Sequence, residues 1–129
     1  MYFTPDEANA ALELVRPLAE RIVELHRRLA PEQRRQAALA IVVAGNGHGE
    51  AARSYEAVTA RLEAGTAELV ACVEGIRELG AIVKDLEQGL VDFPWLRDGD
   101  EVLLCWHVGE ESVAFWHPVD EGFSGRRPL

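Results

Sequence analysis

Apolar residues between Ala8 and Leu29 return every seven positions, with Ala8, Val15, Ile22 and Leu29 in one row and Ala11, Leu18 and Leu25 in a second. Two such rows define the buried stripe of a coiled-coil-type helix, here a seam about 33 Å long at 1.5 Å per residue. Thr4, Pro5 and Glu7 mark its start: a threonine N-cap, proline at the first helical position and a glutamate placed to close a capping box. The helix is expected to run to about Ala30, with Pro17 off the seam and bending it at a cost of roughly 3 kcal/mol. After Pro31 a separate alanine-rich helix is expected over 32–44, ended by GNGHG at 45–49. A long helix over about 50–79 repeats the seam, with Tyr55, Leu62, Leu69 and Ile76 in one row and Val58, Gly65, Cys72 and Leu79 in the other. Gly65 is either a close helix approach or a weak point costing about 1 kcal/mol against alanine. Cys72 reads as a small buried hydrophobe. Two heptad helices on one chain favour an antiparallel hairpin; the same periodicity would serve pairing between chains, and only the connection length separates the two.

At Gly80 the period changes from seven to two. Strands are expected at Ala81–Lys84 and Leu90–Phe93 around a Gln88-Gly89 turn, and at Glu101–Val108 and Ser112–His117 around Gly109-Glu110-Glu111. The segment FPWLRDGD carries few regular-structure signals and reads as a loop, with Trp95 stacked on the sheet. The fold class is therefore α+β: a long antiparallel helical hairpin with an additional short helix, packed on a small antiparallel sheet formed by the C-terminal third. One domain over 1–129 accommodates it, helical over 1–79 and β-rich over 80–129, because a single core serves a chain of this length.

Hairpin register decides which polar residues can meet. With an even loop, Val102, Leu104, Trp106 and Val108 share a face with Val113, Phe115 and His117, while His107 points to the other face with Cys105, Ala114 and Trp116. Only an odd loop or a bulge would bring both histidines to one side. In the even register Trp106 and Trp116 lie on opposite faces, so both sides of the sheet present large rings. One side can pack on the helices; the other requires cover from the tail, a ligand or a second copy of the chain. In the tail, Gly122 and Gly125 permit sharp turns, so Phe123 is expected to fold back as an anchor while Arg126 and Arg127 reach the acidic surface.

The formal net charge of -9 argues against the phosphate backbone as a partner, and the acids concentrate in the second half, thirteen against five bases after residue 64. Arg27, Arg28, Arg34 and Arg35 form a basic cluster, read as a solvated helix-end surface. Cys72 and Cys105 lie in unlike elements, so no CxxC redox pair or zinc knuckle exists, and a reduced, cytoplasmic chain is expected. No apolar run reaches the roughly 20 residues of a membrane span. GNGHG fails as a phosphate cradle, since no strand precedes it and no GK[ST] follows.

Chemistry-bearing side chains gather in the last third. His117, Asp92, Glu110 and Arg126 are the candidate catalytic set, with His117 as base or ligand, the carboxylates beside it and Arg126 as an anion clamp. Lys84, Asp85, Trp106, Trp116 and Asp120 are candidate ligand contacts, and His117 with Asp120 forms the candidate site for a divalent metal, the one cofactor the residue types suggest. The alternative for His117 is a satisfied core residue at the rim of an apolar face.

FTPDEANAAL near the start, with VKDLEQGLVDFP, LCWHVGE and FWHPVDEGFSGRRPL toward the end, resembles over the whole length the bacterial family called domain of unknown function twenty-two oh three. The resemblance implies a small soluble bacterial protein without an assigned activity, and a basic residue where this chain has His107. It falls on Lys84, Asp85, Gly89–Pro94, Cys105, Trp106, Gly109, Glu110, Trp116, His117, Gly122, Phe123, Gly125, Arg126, Pro128 and Leu129.

Two main function classes follow, with a nucleic-acid or ribosome partner bound by the Arg27–Arg35 cluster as a third reading. The first is a non-catalytic, homodimeric interaction module using the heptad seams and the second sheet face. The second is a small-molecule or metal-binding enzyme, in the hydrolase class, with a His117, carboxylate and Arg126 site. Convergence of Asp92, Glu110, His117 and Arg126 around a concave site favours the enzyme; His117 buried against Leu104 and bonded to a backbone carbonyl favours the module.

Overall fold

The computed structural model describes residues 1–45 and 49–129. Two helices, α1 (Pro5–Gly45) and α2 (Glu50–Glu78), precede five strands: β1 (Ile82–Asp85), β2 (Leu90–Arg97), β3 (Asp100–His107), β4 (Phe115–Pro118) and β5 (Arg127–Pro128). The strands form one antiparallel sheet in the order β1-β2-β3-β4-β5. The fold is α+β. The middle of the glycine-rich connection, 46–48, with His48, lies outside the described residues.

The capping box forms as the sequence specifies: Thr4 N–H donates to Glu7 Oε1 at 2.9 Å and Glu7 N–H to Thr4 Oγ1 at 3.1 Å. The expected break at Pro31 does not occur. Residues 32–44 continue α1, which runs through both Pro17 and Pro31 for about 60 Å. Both prolines, and Glu13 and Arg27 whose carbonyls lose their partners, lie on the exposed side, where water replaces the missing bonds. The far half of α1 is held against α2 by Leu39 packing near Leu29, Val58 and Leu62, and by a Gln36–Thr59 hydrogen bond of 3.0 Å.

The helices run antiparallel, since contacts pair residues late in α1 with residues early in α2: Gln36 with Thr59, Glu32 with Arg61, Leu29 with Gly65, Leu18 with Gly75. The heptad rows of α2 face inward, with Val58, Leu62, Cys72 and Ile76 buried. On α1 the buried stripe is wider, because Leu12, Ala19 and Val23 also lie inside. A helix that packs on a helix and on a sheet needs a broader apolar face than a two-helix seam alone. Gly65 is a close approach: a Cβ there would meet Leu29 Cδ2 at 2.6 Å.

The sheet is longer than its periodicity suggests. FPWLRDGD belongs to β2 and its turn, with Asp98 (φ 52) and Gly99 (φ 88) in the left-handed region that a two-residue hairpin turn requires. Asp-Gly between alternating apolar residues was the available signal. Pro94 is tolerated within β2 because β1 pairs only as far as Asp92, leaving that edge free, and Pro94 O accepts the Phe3 N–H at 2.7 Å.

Gly89 carries the β1–β2 turn. Its φ is +64, and a Cβ would lie 2.5 Å from Val108 Cγ2 and 2.8 Å from Val23 Cγ2. Gly89→Ala is expected to lower stability by about 2 kcal/mol, from left-handed strain and displaced neighbours together. Urea unfolding checks this; a loss under about 0.5 kcal/mol would mean the turn relaxes freely.

In β3 and β4 the pairs are Leu103 with His117, Leu104 with Trp116 and Cys105 with Phe115. An odd number of residues, 106–114, separates the last pair, so the even-loop register is corrected. Trp116 shares the Leu104 and Trp106 face rather than opposing it, and Trp95, opposite Val102, lies on that face too. This proximal face joins the core: Val91, Phe93, Leu104 and Trp106 pack with Leu12, Val15, Ala19 and Ile22 of α1 and with Ile76 of α2. The distal face carries Leu90, Asp92, Leu103, Cys105, Phe115 and His117.

The loop of this hairpin is tied both from α1 and from within. Asn9 on α1 clasps the loop, its Oδ1 accepting the Val113 N–H at 2.7 Å and its Nδ2 donating to Val113 O at 3.2 Å. Arg16 donates to the carbonyls of Glu110 and Glu111 at 3.0 and 2.7 Å, and Trp106 Nε1 donates to Glu110 O at 3.0 Å.

Candidate functional site

The distal face is covered by the chain's own tail. β5 pairs with β4, Leu129 N–H donates to Ala114 O, and a short 3-10 turn, Phe123–Gly125, brings Phe123 and Arg126 onto the sheet. The Arg126 guanidinium lies between two rings, 4.1 Å from the centre of Phe115 and 4.7 Å from that of Phe123. It donates to Glu110 Oε1 at 2.6 Å and to Cys105 O at 3.1 Å. Arg127 pairs with Glu121 at 3.1 Å. The tail is docked by Phe123, Arg126 and Arg127, as its sequence suggests. Within the chain the helix seams pack on each other, and Phe123 and Arg126 of the tail lie on the second sheet face.

Under the tail sits a buried polar group. Asp92 (1% exposed) and His117 (2%) are the buried polar residues among the described ones, and Cys105 (0%) adjoins them. Strand pairing explains the meeting: Asp92 of β2 is opposite Cys105 of β3, and His117 of β4 is opposite Leu103 two residues earlier on β3. One ligand atom from each of Asp92, Cys105 and His117 lies within 4.8 Å of the others.

His117 Nδ1 is 2.8 Å from Pro118 O, and since a carbonyl only accepts, Nδ1 carries a hydrogen. Its Nε2 lies 3.1 Å from Asp92 Oδ2, so one proton must sit between them, on the carboxyl or on the imidazole. Asp92 Oδ1 is buried without a partner. Burial pushes the Asp92 carboxyl above its ordinary value, against the lowering effect of His117 and, more weakly, of Cys105 and Lys84. The folded state thus holds a proton on the Asp92 carboxyl more tightly than the unfolded chain does. Its contribution to stability is present in acid and is lost as pH rises through the folded-state value.

Burial, and next the Asp92 charge, push the Cys105 thiol up to about 12. Both His117 nitrogens are engaged elsewhere, and the thiol keeps its proton at neutral pH, so Cys105 is not poised as a nucleophile.

Asp92 and His117 line a pocket of about 130 Å³ whose walls are Leu90, Leu103, Val119 and Phe123, with Lys84, Glu121 and Gly122 at its border. At about 30 Å³ per water it has room for roughly four waters, which suits an ion or a very small molecule.

The expected site residues divide. Asp92 and His117 meet directly, and Lys84 borders their pocket. Glu110 and Arg126 form a second pair, connected to the first through Cys105. Arg126 is held by Glu110, Cys105 O and two rings, a tail anchor by geometry. Asp85 accepts the N–H groups of Glu87 and Gln88 at 3.3 Å and shapes a turn. Asp120 lines a groove with Trp116, Arg97 and Glu101 and is not among the residues lining the His117 pocket. Trp106 is in the core, and Trp116 has Arg97 and Arg127 over its ring. His107 does share the distal face with His117, but its Nδ1 donates to Val108 O and its ring packs on Phe123. His117 combines features of both expectations, buried and bonded to a carbonyl, yet paired to a carboxylate on the face opposite Leu104.

Cys105 is the member that residue-type reasoning missed. The signal was its position two residues before His107 on the same strand, informative only with the hairpin register known.

No helix among the described residues is long and apolar enough to cross a membrane. The model of a protein family described as "Uncharacterized conserved protein (DUF2203)" matches residues 1–129. No curated protein and no solved structure matches the chain.

Proposed function

The chain belongs to the uncharacterised conserved family DUF2203, and we propose that this protein binds a small polar ligand in the pocket beneath its C-terminal tail, with Asp92 and His117 as the proton-carrying pair. The observation that carries this is a fully buried carboxylate–imidazole pair, one carboxylate oxygen unpartnered, at the wall of a small pocket open to solvent. Burying such a pair is costly unless every lone pair is satisfied, so an orphaned oxygen beside a pocket is the mark of a site completed by something else. The shared proton can pass to or from a ligand without opening the fold. Lys84 supplies positive charge at the border, which suits an anionic or polar ligand, and Phe123 and Val119 restrict access.

The reading favours a ligand site over self-association, because the heptad seams pack on each other and the tail lies on the distal sheet face within one chain. Ligand-observed NMR with a library of small polar and anionic fragments tests it on wild type and Val119→Trp. Val119 is exposed at the pocket wall, so the larger ring should block the mouth without entering the core. Hits are expected with wild type and should weaken at least tenfold in Val119→Trp. Equal binding to both proteins, or no hits with wild type, would overturn the pocket as the functional centre.

A further inference from the structure

The three side chains under the tail offer one oxygen, one sulfur and one nitrogen to a common point. We propose that Asp92, Cys105 and His117 bind a divalent transition ion of the zinc class at the floor of the distal pocket, an inference that rests on that pocket being the functional centre.

Four observations carry it. First, the three ligand atoms lie within 4.8 Å of one another, the one such cluster of three among the described residues. Two atoms at 2.0–2.2 Å from one tetrahedral ion are about 3.4 Å apart, and His117 Nε2 and Asp92 Oδ2 are already at 3.1 Å. Second, His117 gives its Nδ1 hydrogen to the Pro118 carbonyl. That is the outer contact that orients a ligating imidazole and leaves Nε2 for the metal. Third, Asp92 Oδ1 is an unpartnered atom on a carboxylate that is 1% exposed. Fourth, Asp92 and His117 line a pocket, so an ion held by three protein ligands would keep a position open toward it. Three ligands and an open position is the pattern of catalytic rather than structural zinc.

Charge balances as well. Without metal the group is neutral as a whole: one proton shared by Asp92 and His117, and one on the Cys105 thiol. A divalent ion entering would displace both, giving a carboxylate, a thiolate and a neutral imidazole that keeps its Nδ1 hydrogen. Two positive charges leave and two arrive, so the buried site stays neutral. The nearest guanidinium, Arg126, is neutralised by Glu110 at 2.6 Å, and Lys84 stands exposed at the border. A thiolate beside an imidazole selects zinc, cobalt or iron over magnesium and calcium.

Chelator-treated protein titrated with Co²⁺ tests the site. Wild type should take up one equivalent and show thiolate-to-cobalt charge transfer in the near ultraviolet, discharged by added Zn²⁺. Cys105→Ser should lose that band and bind Zn²⁺ roughly 100-fold more weakly or worse, since even outer contacts are worth up to that factor. Cys72→Ser, altering the other buried cysteine on α2, should keep the band. Calorimetry of Zn²⁺ binding to wild type, in buffers of different ionisation enthalpy, should count about two protons released. That count keeps the test alive if Cys105→Ser does not fold. No charge-transfer band in wild type, a band surviving in Cys105→Ser, or a proton count near zero would overturn the metal site. If cobalt fails while fragments still distinguish wild type from Val119→Trp, the metal inference falls and the pocket stands. If both fail, both fall.

Discussion

Trp106→Ala is expected to lower stability by about 3–5 kcal/mol, the range for emptying a buried aromatic site. Trp106 is 0% exposed and sits among Leu12, Val15 and Ile76 from both helices, so the cavity left behind would be lined by rigid elements that cannot collapse onto it. Its indole N–H also ties the β3–β4 loop at Glu110 O, with Arg16 stacked on the ring at 5.3 Å. Against a total of roughly 5–15 kcal/mol for a domain, that loss should leave a partly unfolded population at physiological temperature. Trp106→Phe, which retains most of the volume and removes the hydrogen bond, should cost about 1–2 kcal/mol. Urea unfolding of the three proteins checks both figures. A Trp106→Ala loss below about 2 kcal/mol would mean that the sheet does not depend on this ring to sit on the helices.

Arg126→Met should cost about 3 kcal/mol, for a different reason. The Arg126 and Glu110 side chains are 13% and 17% exposed, so removing the cation leaves a largely buried carboxylate without its partner. The methionine fills the space between Phe115 and Phe123 but supplies neither the charge nor the donor to Cys105 O. Because this anchor holds the tail over the distal face, the effect should reach the site. Cys105 is 0% exposed in the intact fold. In a Cys72→Ser background, its reaction with a thiol reagent under native conditions should speed up at least tenfold once the anchor is gone. Unfolding measurements and thiol kinetics together separate local opening from global loss. An unchanged thiol rate with stability reduced by less than about 1 kcal/mol would show that β5 alone holds the tail.

These two residues illustrate what could and could not be read in advance. Trp106 was legible as a large ring on the Val102 and Leu104 side of β3, but it was expected as a ligand contact and the structure places it in the core. Arg126 was legible as a tail contact, although as an anion clamp rather than as the partner of Glu110. Which distal residues would meet was not legible. In the even register His117 falls with Leu104 and away from Cys105, and the site does not exist. The register is odd, and Asn9 and Arg16, on a helix distant in sequence, bind residues 110–113 in that arrangement. A strand slip of one residue moves every side chain to the other face, so the register decides which groups are neighbours.

The expected helix break at Pro31 failed on similar grounds. Local propensity opposes proline in a helix interior, but tertiary packing of Leu29 and Leu39 on α2 overrides it, and the lost hydrogen bond falls on the solvent side. The DG dipeptide at 98–99 was the opposite case, a local signal sufficient for a two-residue hairpin.

By itself the sequence determined the elements that depend on near neighbours: the capping box of α1, the heptad faces of two helices, the period-two segments after Gly80, and a tail able to fold back. These follow from interactions between residues one to seven positions apart, which any stretch of chain carries with it. The tertiary structure alone decided that α1 is one helix, that all three tryptophans share the proximal face, and that Asp92, Cys105 and His117 meet beneath the tail. Those outcomes depend on strand register and on which surface another element covers, and both are settled by contacts between segments that the order of residues leaves far apart.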